Sequence, residues 1–316
     1  MRFLIGCLLA LNAALACAQG FPERPVRIIV PLTPGGSPDT IARAIAHGLQ
    51  GVWSQPVVVE NRPGGSQNIG SDLVAKSAPD GHTWLLAPDN VFSVNPYLTK
   101  PPFDPLTDLM PVTQVARIAF LLVVPPSVPV NSVQELVAYA KQRPGELNHG
   151  SSGNGSPQHL GAVLFQQLTG TRLNHVPYKG AAPAVADLLP GRIQVWIGAA
   201  NTLLPHIKEG KLRLLASSAP TRFPNLGDTP TIGETVPGYA LDPWLGLFVA
   251  ARTPPELVKR IHAEVTKIVN APDLKSKLAS QGIMIETNAP AEFARAIRED
   301  NARWGKVIRE AGIKGE

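Results

Sequence analysis

Cysteine is nearly missing from this 316-residue chain: there are two, Cys7 and Cys17, and both fall within the first eighteen residues. Beyond that leader a disulfide framework, a thiol nucleophile and a thiolate metal site are all excluded. Aromatic residues are sparse at 6%, charged residues make up 17%, and no Lys/Arg cluster is interleaved with aromatics. No nucleic-acid surface is therefore expected. The formal charge of +5 suits acidic ligands but is too dispersed to decide anything. After the leader no apolar segment approaches the ~20 residues of a membrane span.

Several motifs are missing as well. Neither G-x-G-x-x-G nor G-x-x-x-x-G-K-[ST] occurs, which leaves nucleotide phosphate binding without support. G-x-S-x-G is absent, so the usual hydrolase elbow is excluded. The seven histidines (47, 82, 149, 159, 175, 206 and 262) show no H-E-x-x-H or related metal spacing. Neither metal nor cofactor is expected. His149 and His159 flank a serine-rich turn and are the two histidines with a claim to the site.

What is present begins with the leader. A single Arg2 precedes the apolar segment from Phe3 to Leu11, and small residues follow in A-x-A arrangements ending at Ala16 and Ala18. This pattern predicts a cleaved secretory signal over residues 1–18 and a periplasmic mature protein. The alternative is a lipobox with Cys17 as the lipidated first residue, although its usual upstream Leu is Ala14 here.

From residue 26 onward, strand-length apolar runs alternate with helical patterns. VRIIV (26–30) is continuous, as in a strand covered on both faces. Asp39 then leads a helical stripe of Ile41, Ala42, Ile45, Ala46 and Leu49 and is expected to cap that helix. PVVVEN, HTWLLAP, RLNHVPY, RIQVWIG and KLRLLASS are further strands, and NIGSDLVAKSAP, APAVADLL and TLLPHIKEG are helices. The spacing predicts βαβ units and largely parallel sheets. Two long apolar segments, 115–126 and 244–255, each end in a Pro pair. They are expected to cross between two domains, the first discontinuous over 19–121 and 245–316, the second spanning 122–244. A long helix after Pro255, with Leu257, Ile261, Val265 and Ile268 on one face, and helices at 272–281 and 290–311 should pack back on the first domain.

Three turns stand between a strand and a helix, where free N–H groups and the positive dipole end face a crevice. The first, PLTPGGSPD, offers Gly35 and Gly36 for close approach and Ser37 as a hydroxyl. The second, HGSSGNGSPQHL, has three glycines with Ser151, Ser152 and Ser156, and Pro157 opens the next helix. The third is VPYKGAAPAVADLL. Any one of them is compatible with a plain chain reversal. Their recurrence in both domains predicts two sets of helix N-termini facing a small anion, most simply a carboxylate.

Seven segments, VPLTPGGSPDTIAR, VVENRPGG, APDGHTWLLA, HGSSGNGSPQHL, HVPYKGAAPAVADLLPGRI, LPHIKEGKLRLLA and DTPTIGE, stand in this order and spacing. Together they resemble the Bug family of extracytoplasmic solute receptors, the binding components of tripartite tricarboxylate transporters, over about residues 21 to 312. The resemblance implies an α/β, two-domain periplasmic-binding-protein-like fold of type II, hinged by two crossing strands and closing over a small carboxylate. It implicates Thr33, Pro34, Gly35, Gly36, Ser37 and Asp39 on one side and Ser151, Ser152, Gly153, Asn154, Gly155 and Ser156 on the other. Tyr178, Lys179 and Gly180 match the family's PYKG, with Lys179 either lining the cleft or carrying a solvated charge. His159, Gly198 and Ala199 are also placed at the ligand.

The chain departs from the family pattern at Leu32, at the loop APDNVFSVNP with Asp89 and Asn90, and at GAAN (198–201). Asp89 is expected either to pair with a ligand ammonium or to cap a local turn. The implied protein is a non-enzymatic, monomeric receptor that binds a di- or tricarboxylate, an amino acid or an aromatic acid and docks on a membrane permease. The rival readings are a receptor that signals to a sensor kinase and a periplasmic hydrolase using His149 or His159 with a nearby serine.

Overall fold

The computed structural model describes residues 20–178 and 180–314. The leader, with both cysteines, and Lys179 lie outside the described residues. Among these residues no helix is long and apolar enough to cross a membrane.

Eleven strands are described: β1 (Val26–Val30), β2 (Val57–Asn61), β3 (Thr83–Pro88), β4 (Leu109–Ile118), β5 (Phe120–Val124), β6 (Asn148–Ser151), β7 (Asn174–Pro177), β8 (Trp196–Ala199), β9 (Arg213–Ser217), β10 (Trp244–Ala250) and β11 (Ile283–Ile285). Six form one sheet in the order β11-β4-β10-β3-β1-β2. In it β1, β2 and β3 are mutually parallel, while β10 is antiparallel to both neighbours. The second layer joins β8-β5-β9 to the parallel pair β6-β7 through a parallel bridge between His149 and Val195. Here β5 is the strand that runs against its neighbours β8 and β9. Each sheet thus has a reversed strand next to its third parallel one, and the first sheet carries a second, β11, at its edge beside β4.

That reversed strand is the one that has just crossed over. The chain leaves the first sheet at Ile118, passes Ala119 and enters the second as β5. It returns through 241–243 to become β10. Backbone bonds fix both crossings side by side: Ile118 N–H donates to Pro243 O at 2.8 Å, and Leu241 N–H to Ser218 O at 2.8 Å. Two crossings exist as expected, the first within 115–126 at Ala119, but the second precedes the expected segment 244–255, whose Trp244–Ala250 lies wholly in the first sheet.

Both faces of each sheet are covered, which is why the strands read as unbroken apolar runs. In β1, Ile28 and Val30 pack with Ile41, Ile45 and Leu49 of the helix Ser37–Gln50. Ile29 points the other way, to Val74, Phe92, Phe248 and Phe293. Burying one such side chain is worth ~1.5–3 kcal/mol. The helix Pro255–Val269 buries Val258, Ile261, Val265 and Val269, so the expected stripe is turned slightly: Leu257 and Ile268 lie on its flanks. Gly48 is what lets that flank approach, because a Cβ there would stand 2.5 Å from Ile268 Cγ2.

Candidate functional site

The topology gathers the three turns at the carboxyl edges of the parallel strands. The turn 31–36 follows β1, and Asp89 and Asn90 follow its neighbour β3. On the opposite side the turn 152–156 follows β6, flanked by Tyr178 and Gly180 after β7 and by the 199–201 segment after β8.

The first turn is built from within. Gly35 has φ +92°, open to a residue without Cβ. Gly36 holds the N-cap position of the helix Ser37–Gln50 with no side-chain cap. Asp39 is therefore not the N-cap expected from the sequence; it sits in the first helical turn and reaches back. Its Oδ2 accepts the Gly35 N–H at 3.1 Å and Arg43 Nε at 2.9 Å. Burial pushes the Asp39 carboxyl up, but the bonds from Arg43, Gly35 and Asn61 outweigh it and hold the group below the usual carboxylate range. The fixed loop leaves Thr33, Pro34 and Gly35 exposed and Ser37 buried.

The second turn is held by histidines. Ser151 is fully buried; its hydroxyl accepts Gly153 N–H at 3.1 Å and lies 2.6 Å from His175 Nε2. Gly155 N–H donates to His159 Nδ1 at 3.1 Å. Ser156 caps the helix Pro157–Thr169, accepting from His159 N–H. Gly153 and Gly155 have φ +114° and +72°, so the turn exists because both lack a Cβ. Ser152 is half-buried and Asn154 exposed.

Beside them, Gly180 (φ +118°) opens the helix Ala181–Leu188, and the Tyr178 hydroxyl donates to Asp187 Oδ2 at 2.9 Å instead of standing free. Gly198 turns inward: a Cβ there would overlap the Trp196 indole. Ala199 O accepts the Thr202 hydroxyl as the helix Ala200–Lys208 begins. Asp89 caps the short helix Asn90–Ser93, its Oδ1 accepting Asn90 N–H at 2.9 Å. Burial pushes the Asp89 carboxyl well above the carboxylate range and Asp300 adds to that, while the Asn90 N–H opposes it. Capping the helix is the role that the geometry shows for Asp89.

The two sides meet. A Cβ on Gly155 would stand 2.5 Å from Leu98 Cδ1 and 3.3 Å from Val94 Cγ1. Val94 and Leu98 belong to the first sheet's side, at the N-cap and the end of the helix Asn95–Leu98, so this contact bridges the two sides of the cleft. Sequence reasoning missed both residues, and also His175, whose bond to Ser151 depends on β7 lying beside β6. Among the described residues no three His, Cys, Asp or Glu are placed to hold a metal ion.

The family model described as tripartite tricarboxylate transporter family receptor matches residues 41–313. Protein BugT of Bordetella pertussis is 36% identical over 308 residues, 96% of this chain and 94% of BugT. Among solved structures, Rpa4515 of R. palustris with adipate is 37% identical, with a TM-score of 0.86 over 94% of this chain and 100% of that one. MatC from Rhodopseudomonas palustris with bound malate is 28% identical, with a TM-score of 0.80 over 91% and 100%. With nearly full-length agreement in sequence and in fold, this chain belongs to the tripartite tricarboxylate transporter receptor family.

Proposed function

We propose that this protein is an exported, non-enzymatic solute receptor that captures a small carboxylate in the cleft and presents the closed form to a membrane permease. The observation that supports the reading is the pair of Gly/Ser turns at the carboxyl ends of β1 and β6, one rigidified by Asp39 and the other by the histidines, with Gly155 of the second packed against Val94 and Leu98 from the segment after β3. Backbone N–H groups and hydroxyls at two helix N-termini recognise an anion without a metal, and closure strengthens those bonds by excluding water. Residues 33–37 and 152–156 are the proposed ligand contacts, with Tyr178, Gly180 and Ala199 as walls. Asp39, Ser151 and His159 act through the backbone they hold.

The same reading divides the chain into domain I, 19–121 with 245–316, and domain II, 122–244, the strand crossings beside Ala119 and Pro243 serving as hinge. Removal of residues 1–18 would place the mature protein in the periplasm. Adipate in Rpa4515 and malate in MatC favour a dicarboxylate. Against a hydrolase, Ser151 of the close Ser–His pair is fully buried beneath the turn with His175 half-buried beside it, and no carboxylate orients the imidazole among the described residues.

Titration calorimetry of the ligand-stripped mature chain with adipate and with malate, paired with small-angle scattering, tests this. The expected result is stoichiometric binding of at least one with a measurable contraction. Binding without contraction, or no binding of any di-, tri- or monocarboxylate, would refute it.

A further inference from the structure

Beneath the second turn three near-parallel imidazoles pack in a sharply bent file, His149 and His159 standing 6.3 Å apart across it. His159 and His175 lie 4.0 Å apart with planes 4° from parallel, and His175 and His149 lie 4.8 Å apart at 12°. They come from three elements, His149 from β6, His175 from β7 and His159 from the helix Pro157–Thr169. His149 is 1% exposed and His159 8% exposed. Parallel rings cannot converge their lone pairs on one ion, so the file is not a metal site.

Its geometry constrains protonation. Nδ1 of His159 accepts a hydrogen bond from Gly155 N–H, so that nitrogen must carry no proton. Nδ1 of His149 is buried with no partner, and a proton placed there would have nothing to receive it. Two cations stacked about 4 Å apart in a buried site repel strongly. Among the described residues the titratable groups that act on the rings are the three rings themselves; Asp187, on the helix after β7, is already engaged by Tyr178 and Arg192.

We propose that this histidine file is the positioning element of the ligand-binding turn and holds Gly153 and Gly155 in their binding conformation only while its rings are neutral, so that acid releases the ligand. The inference rests on the receptor reading above for its consequence, though not for its structural part. Burial, and then the neighbouring rings, push His149 down to about 3 and His159 to about 4. His175 is lowered by burial alone. The neutral file therefore persists through the ordinary periplasmic range and fails in acid.

Two measurements on the full mature protein test this separately. In the first, the amides of Gly153 and Gly155 and the three imidazole ring protons are followed by NMR from pH 8 to pH 4 without ligand. They should hold steady to about pH 5.5 and then move together; an independent titration of His159 or His175 near 6.5 would overturn the structural claim.

In the second, adipate and malate affinities are measured at pH 7 and pH 3.5 for the wild type, His159→Asn and His159→Leu. Asn keeps an acceptor near the Nδ1 position and cannot titrate. The expected result is at least a tenfold loss at pH 7 for His159→Leu and near wild-type affinity for His159→Asn. On going to pH 3.5, below the value of His159, the Asn variant should weaken less than the wild type. The ligand's own protonation is common to all three proteins and cancels in that comparison. Equal affinity of all three at pH 7, or an unchanged acid profile in His159→Asn, would overturn the proposal. If His159→Leu does not fold, the Asn comparison and the NMR titration still decide. If neither acid binds any of the proteins, the receptor reading fails while the NMR result stands on its own.

Discussion

Replacing Gly155 with alanine should separate closure of the cleft from the strength of the site itself. The added Cβ meets Leu98 Cδ1 at 2.5 Å and Val94 Cγ1 at 3.3 Å, and both neighbours belong to the opposite side of the cleft. The backbone at Gly155 has φ +72°, which costs a residue with a Cβ about 1–2 kcal/mol. That strain is present in the open and the closed form alike and appears as lost stability. The overpacking is present only on closure. At about 1–3 kcal/mol it should weaken ligand affinity by a factor of roughly 5 to 150. Gly170→Ala is the control: it carries a similar φ of +67°, but a Cβ there has nothing within 4 Å. It should lose stability alone. Adding Leu98→Ala to Gly155→Ala removes the obstructing methyl and should recover most of the affinity. Calorimetric titration with adipate or malate, whichever binds, reads all four proteins. If Gly155→Ala binds as well as Gly170→Ala, or if Leu98→Ala restores nothing, the contact is not a closure contact.

Three further outcomes follow from the buried ionisable groups. The imidazoles of His149 and His159 are lowered in the fold, so the unfolded chain takes up protons first and stability, full above about pH 6.5, falls as the pH drops toward 4 and 3. Between pH 7 and pH 5 His149 alone accounts for about 2 kcal/mol of that loss, and urea unfolding of His149→Phe should show a correspondingly flatter acid limb. Asp242, beside the second crossing, is raised to about 6 by burial in spite of Arg117 Nη1 at 3.1 Å. Its charged form is therefore disfavoured by folding above pH 6, and Asp242→Asn should stabilise the protein at pH 8 by up to about 3 kcal/mol and not at pH 3.5. Asp89→Asn replaces a carboxyl that burial drives toward its neutral form; stability at pH 7 should change by less than about 1 kcal/mol, and dicarboxylate affinity should survive, whereas a large loss would restore the ammonium-pairing role.

The sequence made the strands and the three turns legible because a strand covered on both faces has an unmistakable apolar run, and because Gly, Pro and Ser punctuate strand-to-helix turns for definite conformational reasons. The first crossing segment was legible for the first reason, 115–126 being too apolar and too long for one strand; the second was displaced, because 244–250 is a strand of the first sheet and the chain crosses just before it, at 241–243. The reversal of β5 and β10 was not legible, since a buried strand shows the same pattern in either direction. The four-residue helices after Asp89 have no room for a 3.6-residue period, so Val94 and Leu98, the contacts that bridge the cleft, could not be seen. Asp39 looked like an N-cap because its type and place before an apolar stripe fit one; the helix starts two residues earlier, and the side chain serves Gly35 from inside. His175 lay in a segment recognised as a strand, yet its bond to Ser151 depends on β6 and β7 being neighbours, which no local pattern encodes.

The central claim, that opposed turns close on a carboxylate, is tested most directly by thermal unfolding of the mature, ligand-stripped protein against mono-, di- and tricarboxylates, amino acids and aromatic acids. At one hundred times its dissociation constant a bound ligand adds about 2.7 kcal/mol, a shift of several degrees for a chain of this size. The account predicts a selective rise with one class of carboxylate, adipate and malate being the first candidates, that is abolished by bulk at Gly36 or Gly153. A folded, ligand-free protein that no carboxylate stabilises, or a rise that persists when those glycines are filled, would contradict it.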